Sequence, residues 1–170
     1  MAVKEILQLG NQILYDKSSA VDDVLDDEIE ILITDLRDTL ADFRNRNDFG
    51  RGIAAPQIGA LKRVIYIHVP SGFNGAIINP EIVWVDDRRI DIWDSCFSFP
   101  NLMVRVSRAA EVRVEYTDEL GRRKTLDAEG DLAELLQHEI DHLDGILAVQ
   151  RAISPQAFAT RQEWVRSGKL

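Results

Sequence analysis

Between residues 63 and 126 the sequence reads as one short β segment after another, and a long helical stripe stands on either side of that run. This order limits the fold more than any other feature. Strands that alternate with helices build parallel sheets, whereas strands grouped together pair as antiparallel neighbours with helices packed against them. The first stripe is Ile29, Leu32, Ile33, Leu36, Leu40 and Phe43, which recur at three- and four-residue steps and so share one face of a helix over residues 27–46. Asp26, Asp27 and Glu28 suit its start, and Arg44 and Arg46 its end. The second stripe is Leu132, Leu135, Leu136, Ile140 and Leu143, in a helix over residues 130–142 that Gly145 can stop. The β segments fall at residues 63–69, 76–85 with a break at Asn79-Pro80, 89–93, 102–106 and 111–117, followed by a turn at residues 118–121 and a return over residues 123–126. A short last helix is expected from Pro155, with Ser154 as its cap. The class is therefore α+β: mostly antiparallel strands around a central second helix, with an N-terminal helix and a short C-terminal one.

Composition narrows the function. At 170 residues and 45% hydrophobic content the chain suits one domain, residues 1–170, with an ordinary core. Twenty basic against 29 acidic residues leave a net charge of −9, a poor match to a phosphate backbone or an anionic membrane surface. No apolar run approaches the ~20 residues of a membrane helix. Lys4, Glu5 and Gln8 interrupt the N-terminal apolar residues, unlike a signal peptide, and the expected location is cytoplasmic. The single cysteine, Cys96, forms no internal disulfide and needs explaining by packing, ligation or nucleophilicity.

The second helix carries His138-Glu139-Ile140-Asp141-His142, an HExxH sequence. Residues four apart lie on one helical face, so both imidazoles can reach one metal ion, and Glu139 stands one step round, able to take a proton from water held there. Two histidines leave the site short of a ligand, since catalytic sites of this kind use three. No histidine follows His142. Cys96, in Trp-Asp-Ser-Cys-Phe-Ser-Phe-Pro between predicted strands, is the preferred third ligand. A small buried hydrophobe or a nucleophile paired with histidine are the other readings of that cysteine. His68 ends a predicted strand and reads as structural. The loop over residues 50–59 forms a third cluster, in which Gly50 and Gly52 allow tight turns and Gln57 can offer an amide donor to a developing oxyanion.

These three clusters, in this order, resemble the peptide deformylase family. Its GxGxAAPQ motif is matched by Gly50, Gly52, Ala54, Ala55, Pro56 and Gln57, and its QHExDHL motif by Gln137, His138, Glu139, Asp141, His142 and Leu143. Its EGCLS motif is matched only at Cys96 and Ser98, with Asp94, Ser95 and Phe97 in the other places. The resemblance implies hydrolysis of the formyl group from N-formylmethionyl polypeptides. Cys96, His138 and His142 would hold one divalent metal, Fe²⁺ foremost, with Zn²⁺, Ni²⁺ or Co²⁺ able to substitute. Glu139 would act as general base and then acid, Gln57 and the Phe97 N–H as oxyanion donors, and Gly52 and Ser95 would touch substrate through their backbones. Serine lacks the backbone freedom of glycine, which puts position 95 in question. Glu134 stands one turn before His138, where the family commonly has apolar residues lining a methionine pocket. It faces that pocket as a substrate-binding residue or turns to solvent, and solvent is the side expected. The implied partner is the N-terminus of nascent or newly made polypeptides, at the ribosome or after it. Neither direct nucleic-acid binding nor a membrane is expected, and the oligomeric state is open. The rival readings are a relative with altered N-acyl-peptide specificity or little activity, a zinc endopeptidase, which would need a ligand downstream, and a non-enzymatic binding module.

Overall fold

The computed structural model describes residues 3–168. A five-stranded antiparallel sheet has the order β1 (Gly52–Ala54), β2 (Val64–His68), β3 (Asn74–Val85), β6 (Glu111–Thr117), β7 (Arg123–Glu129). A three-stranded antiparallel sheet joins β4 (Arg89–Ser95), β5 (Leu102–Ala109) and β8 (Phe158–Thr160). Among the described residues three α-helices complete the fold: α1 (Asp27–Asn47), α2 (Gly130–Leu143) and a short α3 (Arg161–Arg166). The α+β class, the antiparallel pairing and the three helices agree with the sequence reading.

The period-two geometry of strands explains how the large sheet serves two helices. Ile53, Val64, Tyr66 and Ile78 pack with Ile33, Leu36, Leu40 and Phe43 of α1. The alternate residues Ala54, Ile65, Ile67 and Ile77 pack with Leu135, Leu136, Ile140 and Leu143 of α2. β2 is therefore buried on both faces, which is why its sequence is a continuous apolar run rather than an alternation. α2 also packs against β5 of the smaller sheet, so it runs between the two. Leu136 and Leu143 are wholly buried there, and truncating either to alanine costs roughly 2–5 kcal/mol.

Local signals fix the ends. The Asp26 side chain accepts from Glu28 N–H at 2.8 Å and caps α1. β3 bends where Asn79 adopts φ 50°, and the Asn79 side chain pairs with the backbone of Val21 through both its donor and its acceptor. Asp118 closes the β6–β7 hairpin by accepting from the N–H groups of Leu120 and Arg122. Two expectations need correction. The last helix does not begin at Pro155. Ser154 caps only a turn, and the chain first pairs with β5 as β8 before Thr160 caps α3 by accepting from Glu163 N–H. The segment 50–59 is not wholly loop either, since it contains β1 and a 3-10 turn at Ala55–Ile58.

Candidate active site and metal centre

The end of β4 delivers Cys96 to the face of α2 that carries both histidines. Cys96 Sγ lies 3.2 Å from His142 Nε2, which lies 3.2 Å from His138 Nε2. The three ligand atoms fall within 4.8 Å of one another, and all three residues are buried. His138 Nδ1 is 2.8 Å from Asp94 Oδ2, a contact that holds the proton on Nδ1 and turns the Nε2 lone pair toward the cluster. The sulfur faces two donors, Ser98 N–H at 3.4 Å and Gln57 Nε2 at 3.4 Å. One sulfur and two imidazole nitrogens meeting at one point in a buried site form a donor set that fits a divalent transition metal.

Glu139 sits beside this cluster and is not among the three converging donors. Its Oε2 has no hydrogen-bond partner among the described residues. Burial pushes its carboxyl up to about 7, with His138 pulling it down and the charges of Asp94 and Glu134 raising it. Such a group exchanges a proton readily near neutral pH. Gly52 makes room for it, because a Cβ there would stand 2.6 Å from Glu139 Oε1. Gln57 is locked in place: its Oε1 accepts from Ala54 N–H at 2.9 Å, which leaves Nε2 facing Cys96 and Ser98 Oγ.

The departures in the second motif have structural answers. Ser95 is a residue of β4, paired with Met103, and does not adopt positive φ, so the freedom of glycine is not needed there. Phe97 turns its ring away toward α1, stacked on Phe43 with centroids 3.8 Å apart. Gly50 has φ 121° and lies flat against that ring, where a Cβ would meet Phe97 at 2.4 Å. Asp94 is deeply buried between His138 and Arg108. Burial works to raise its carboxyl, but those two partners hold it below the usual range. Arg108 also pairs with Asp141, which in turn takes Arg151 at 2.8 Å. The sequence reading assigned no role to Arg108 or Arg151.

A cavity of about 400 Å³ opens beside Cys96, His138 and Glu139, and Gly52, Gln57, Ser95 and Phe97 line it as well. Glu134 does not turn to solvent. It is 8% exposed, lines the same cavity and accepts from Arg51 Nη2 at 2.7 Å. Burial first, then the charge of Asp94, raises its carboxyl, while Arg51 pulls it down. The solvent expectation failed because the partner that keeps Glu134 inside stands 83 residues away in sequence. His68 faces Asn74 at 3.1 Å and takes no part in the cluster.

The polypeptide deformylase family model matches residues 3–158. The chain belongs to this family. Among curated deformylases it is 38% identical to the peptide deformylase of Brachyspira hyodysenteriae, over 95% of this chain and 87% of that one. It is 41% identical to peptide deformylase 2 of Clostridium perfringens, over 89% and 94%. Its fold matches a crystal structure of the peptide deformylase from Ehrlichia chaffeensis in complex with actinonin, with a TM-score of 0.85 and 30% identity over 99% of this chain and 97% of that one. The Thermotoga maritima peptide deformylase gives a TM-score of 0.83 at 30% identity, over 91% and 100%. As a deformylase this chain is an enzyme, a hydrolase of N-terminal processing within a metal-dependent family. It keeps the three converging donors, and Cys96, His138, the buried glutamate and the glutamine amide line one cavity.

Proposed function

We propose that this enzyme, read as one catalytic domain over residues 1–170, hydrolyses the formyl group from N-formylmethionyl polypeptides, using Cys96, His138 and His142 to hold one divalent metal. The observation that carries the reading is the convergence of those three donors beside a glutamate that burial sets near neutrality. The metal, when bound, supplies a Lewis acid that polarises the formyl carbonyl and activates water near neutral pH. Glu139 takes a proton from the attacking water as the oxygen joins the formyl carbon. It then gives that proton to the amine nitrogen as the C–N bond breaks, so formate and a free N-terminus leave. Gln57 Nε2 and the Phe97 N–H donate to the former carbonyl oxygen while it carries negative charge. The Phe97 N–H suits that role because it has no acceptor among the described residues. Asp94 keeps His138 in the tautomer that ligates, and Gly52 and Ser95 border the substrate backbone.

For the ion we propose Fe²⁺, with Zn²⁺, Ni²⁺ and Co²⁺ as functional substitutes, all of which accept mixed thiolate and imidazole donors. The partner is the N-terminus of nascent or newly made polypeptides in the cytoplasm, at the ribosome or after release. The test is anaerobic preparation with each metal, followed by formate release from formyl-Met-Ala-Ser. Metal-dependent formate release supports the assignment, and its absence with every metal refutes it.

A further inference from the structure

We propose that the Arg51–Glu134 ion pair sets the preference for the first side chain of the substrate, so that a neutral carboxamide such as glutamine is taken at least as well as methionine. The inference rests on the N-formyl hydrolysis proposed above and concerns which first side chains besides methionine the site accepts. The formyl carbon must lie beside Cys96, His138 and Glu139. The amide nitrogen is bonded to it and the α-carbon follows, so the first side chain falls in the same cavity. At about 400 Å³ the cavity holds one such side chain with the backbone next to it.

The α2 wall of this cavity is the stripe Asp131, Glu134, Leu135 and His138. Arg51 reaches this stripe from the other side. Its Nη2 donates to Glu134 Oε2 at 2.7 Å and its Nη1 to the Asp131 carbonyl at 3.2 Å. The Asp131 carboxylate is itself fully exposed, 3.9 Å from Arg51, and marks the mouth. Of the other carboxylates lining the cavity, Asp94 is committed to Arg108 and His138, and Glu139 stands at the reacting end beside the formyl carbon. The wall thus offers one cation and one anion side by side.

The Glu134 side chain is 10% exposed and that of Arg51 37%, so the pair keeps some water on the arginine side. A methionine laid on it strips that water and returns no hydrogen bond. Glutamine has nearly the same reach. Its amide N–H faces the Glu134 carboxylate and its C=O faces the guanidinium, and both bonds are charge-assisted. Lysine meets Arg51 with like charge, and glutamate meets Glu134 with like charge. A paired cation and anion therefore favour a neutral group that both donates and accepts.

The experiment uses formyl-Xaa-Ala-Ser peptides with Met, Gln, Lys or Glu at Xaa and two readouts: kcat/KM for formate release by the metal-loaded enzyme, and equilibrium binding to metal-loaded Glu139→Gln protein. The expected wild-type order is Gln at or above Met, with Lys and Glu about tenfold or more below Gln. In Arg51→Leu/Glu134→Leu the Gln-to-Met ratio should fall by about tenfold, ~1.4 kcal/mol. Replacing both partners of a half-buried pair with apolar residues leaves neither charge unpaired, and thermal unfolding checks that stability is kept. Glu134→Leu alone removes the buried anion, leaves Arg51 only the exposed Asp131 as a partner, and should raise formyl-Glu relative to formyl-Gln by a similar factor. A clear preference for Met over Gln in both readouts, or a ratio unchanged in the double variant, overturns the inference. If no peptide is hydrolysed while Gln peptides still bind the Glu139→Gln protein at least as tightly as Met peptides, the hydrolysis reading falls and the pocket assignment stands.

Discussion

Glu139 is the residue on which the proposed chemistry turns. Substituting Gln keeps its shape and removes its ability to accept a proton. Because the proposed metal donors are other residues, Glu139→Gln should retain the metal and lose at least ~10²-fold in kcat. Near-normal turnover in a metal-loaded variant would take Glu139 out of the mechanism. The same carboxyl leaves a signature in the stability of the metal-free protein. Its folded value, about 7, lies above its ordinary 4.5, so between those values the folded state binds more protons than the unfolded one. Stability contributed by this group is then fully present below about 4.5 and is lost as pH rises through about 7. Metal-free Glu139→Gln should accordingly gain stability relative to metal-free wild type as pH is raised from 5 to 8. A pH-independent difference would show that the buried carboxyl is not shifted.

At the scale of elements, β1, β4, β5 and α2 hold the site, and their joints are testable. Arg108 on β5 ties Asp94 of β4 to Asp141 of α2, with its side chain only 5% exposed. Arg108→Met takes from Asp94 and Asp141 the cation they share, leaving them only His138 and Arg151, and should destabilise by about 3–5 kcal/mol, read in denaturant unfolding. Loss below ~1 kcal/mol would mean that the network does not brace the site. Gly52→Ala forces β1 and Glu139 apart, since the new Cβ would stand 2.6 Å from Oε1. It should cost about 1–3 kcal/mol through overpacking and lower kcat by about tenfold or more. Much of this scale was legible in the sequence. α1 and α2 announce themselves through three- and four-residue periodicity, and β6 through its alternation of Val112 and Val114 with charged residues. β8 was not legible, because three residues carry no period and Phe158–Thr160 becomes a strand only by pairing with distant β5. Arg108 lies just past the segment 102–106 expected as a strand, and nothing local in the sequence shows that Asp94 and Asp141 meet it. Likewise, Ser154-Pro155 is a sound helix start locally, and tertiary pairing overrides it.

The whole molecule is built so that one helix is shared by two sheets, and the proposed metal donors come from both sides of that junction. Cys96 follows β4 of the small sheet, while α2 packs on the large one. Metal binding should therefore stabilise the entire fold. At a free metal concentration a thousandfold above Kd the linkage is about 4.1 kcal/mol. At about 2–4 °C per kcal/mol for a chain of this size, chelation should lower Tm by roughly 8–16 °C. An unchanged Tm with the metal demonstrably removed would uncouple the site from the fold. The pairing of His138 and His142 is readable from the HExxH spacing, and Cys96 joins them as the preferred third ligand through the missing donor and the family resemblance, but the tautomer-fixing Asp94 and the charged pocket wall emerge only when strands and helix are brought together. The measurement that tests the central claim most directly is metal content per chain of anaerobically prepared protein, for wild type, Cys96→Ala and His142→Ala, with formate release from formyl-Met-Ala-Ser followed in the same samples. One metal per wild-type chain, lost with activity in both variants, is the expected result. Metal content unchanged in both variants would contradict the assignment of these residues as the ligands.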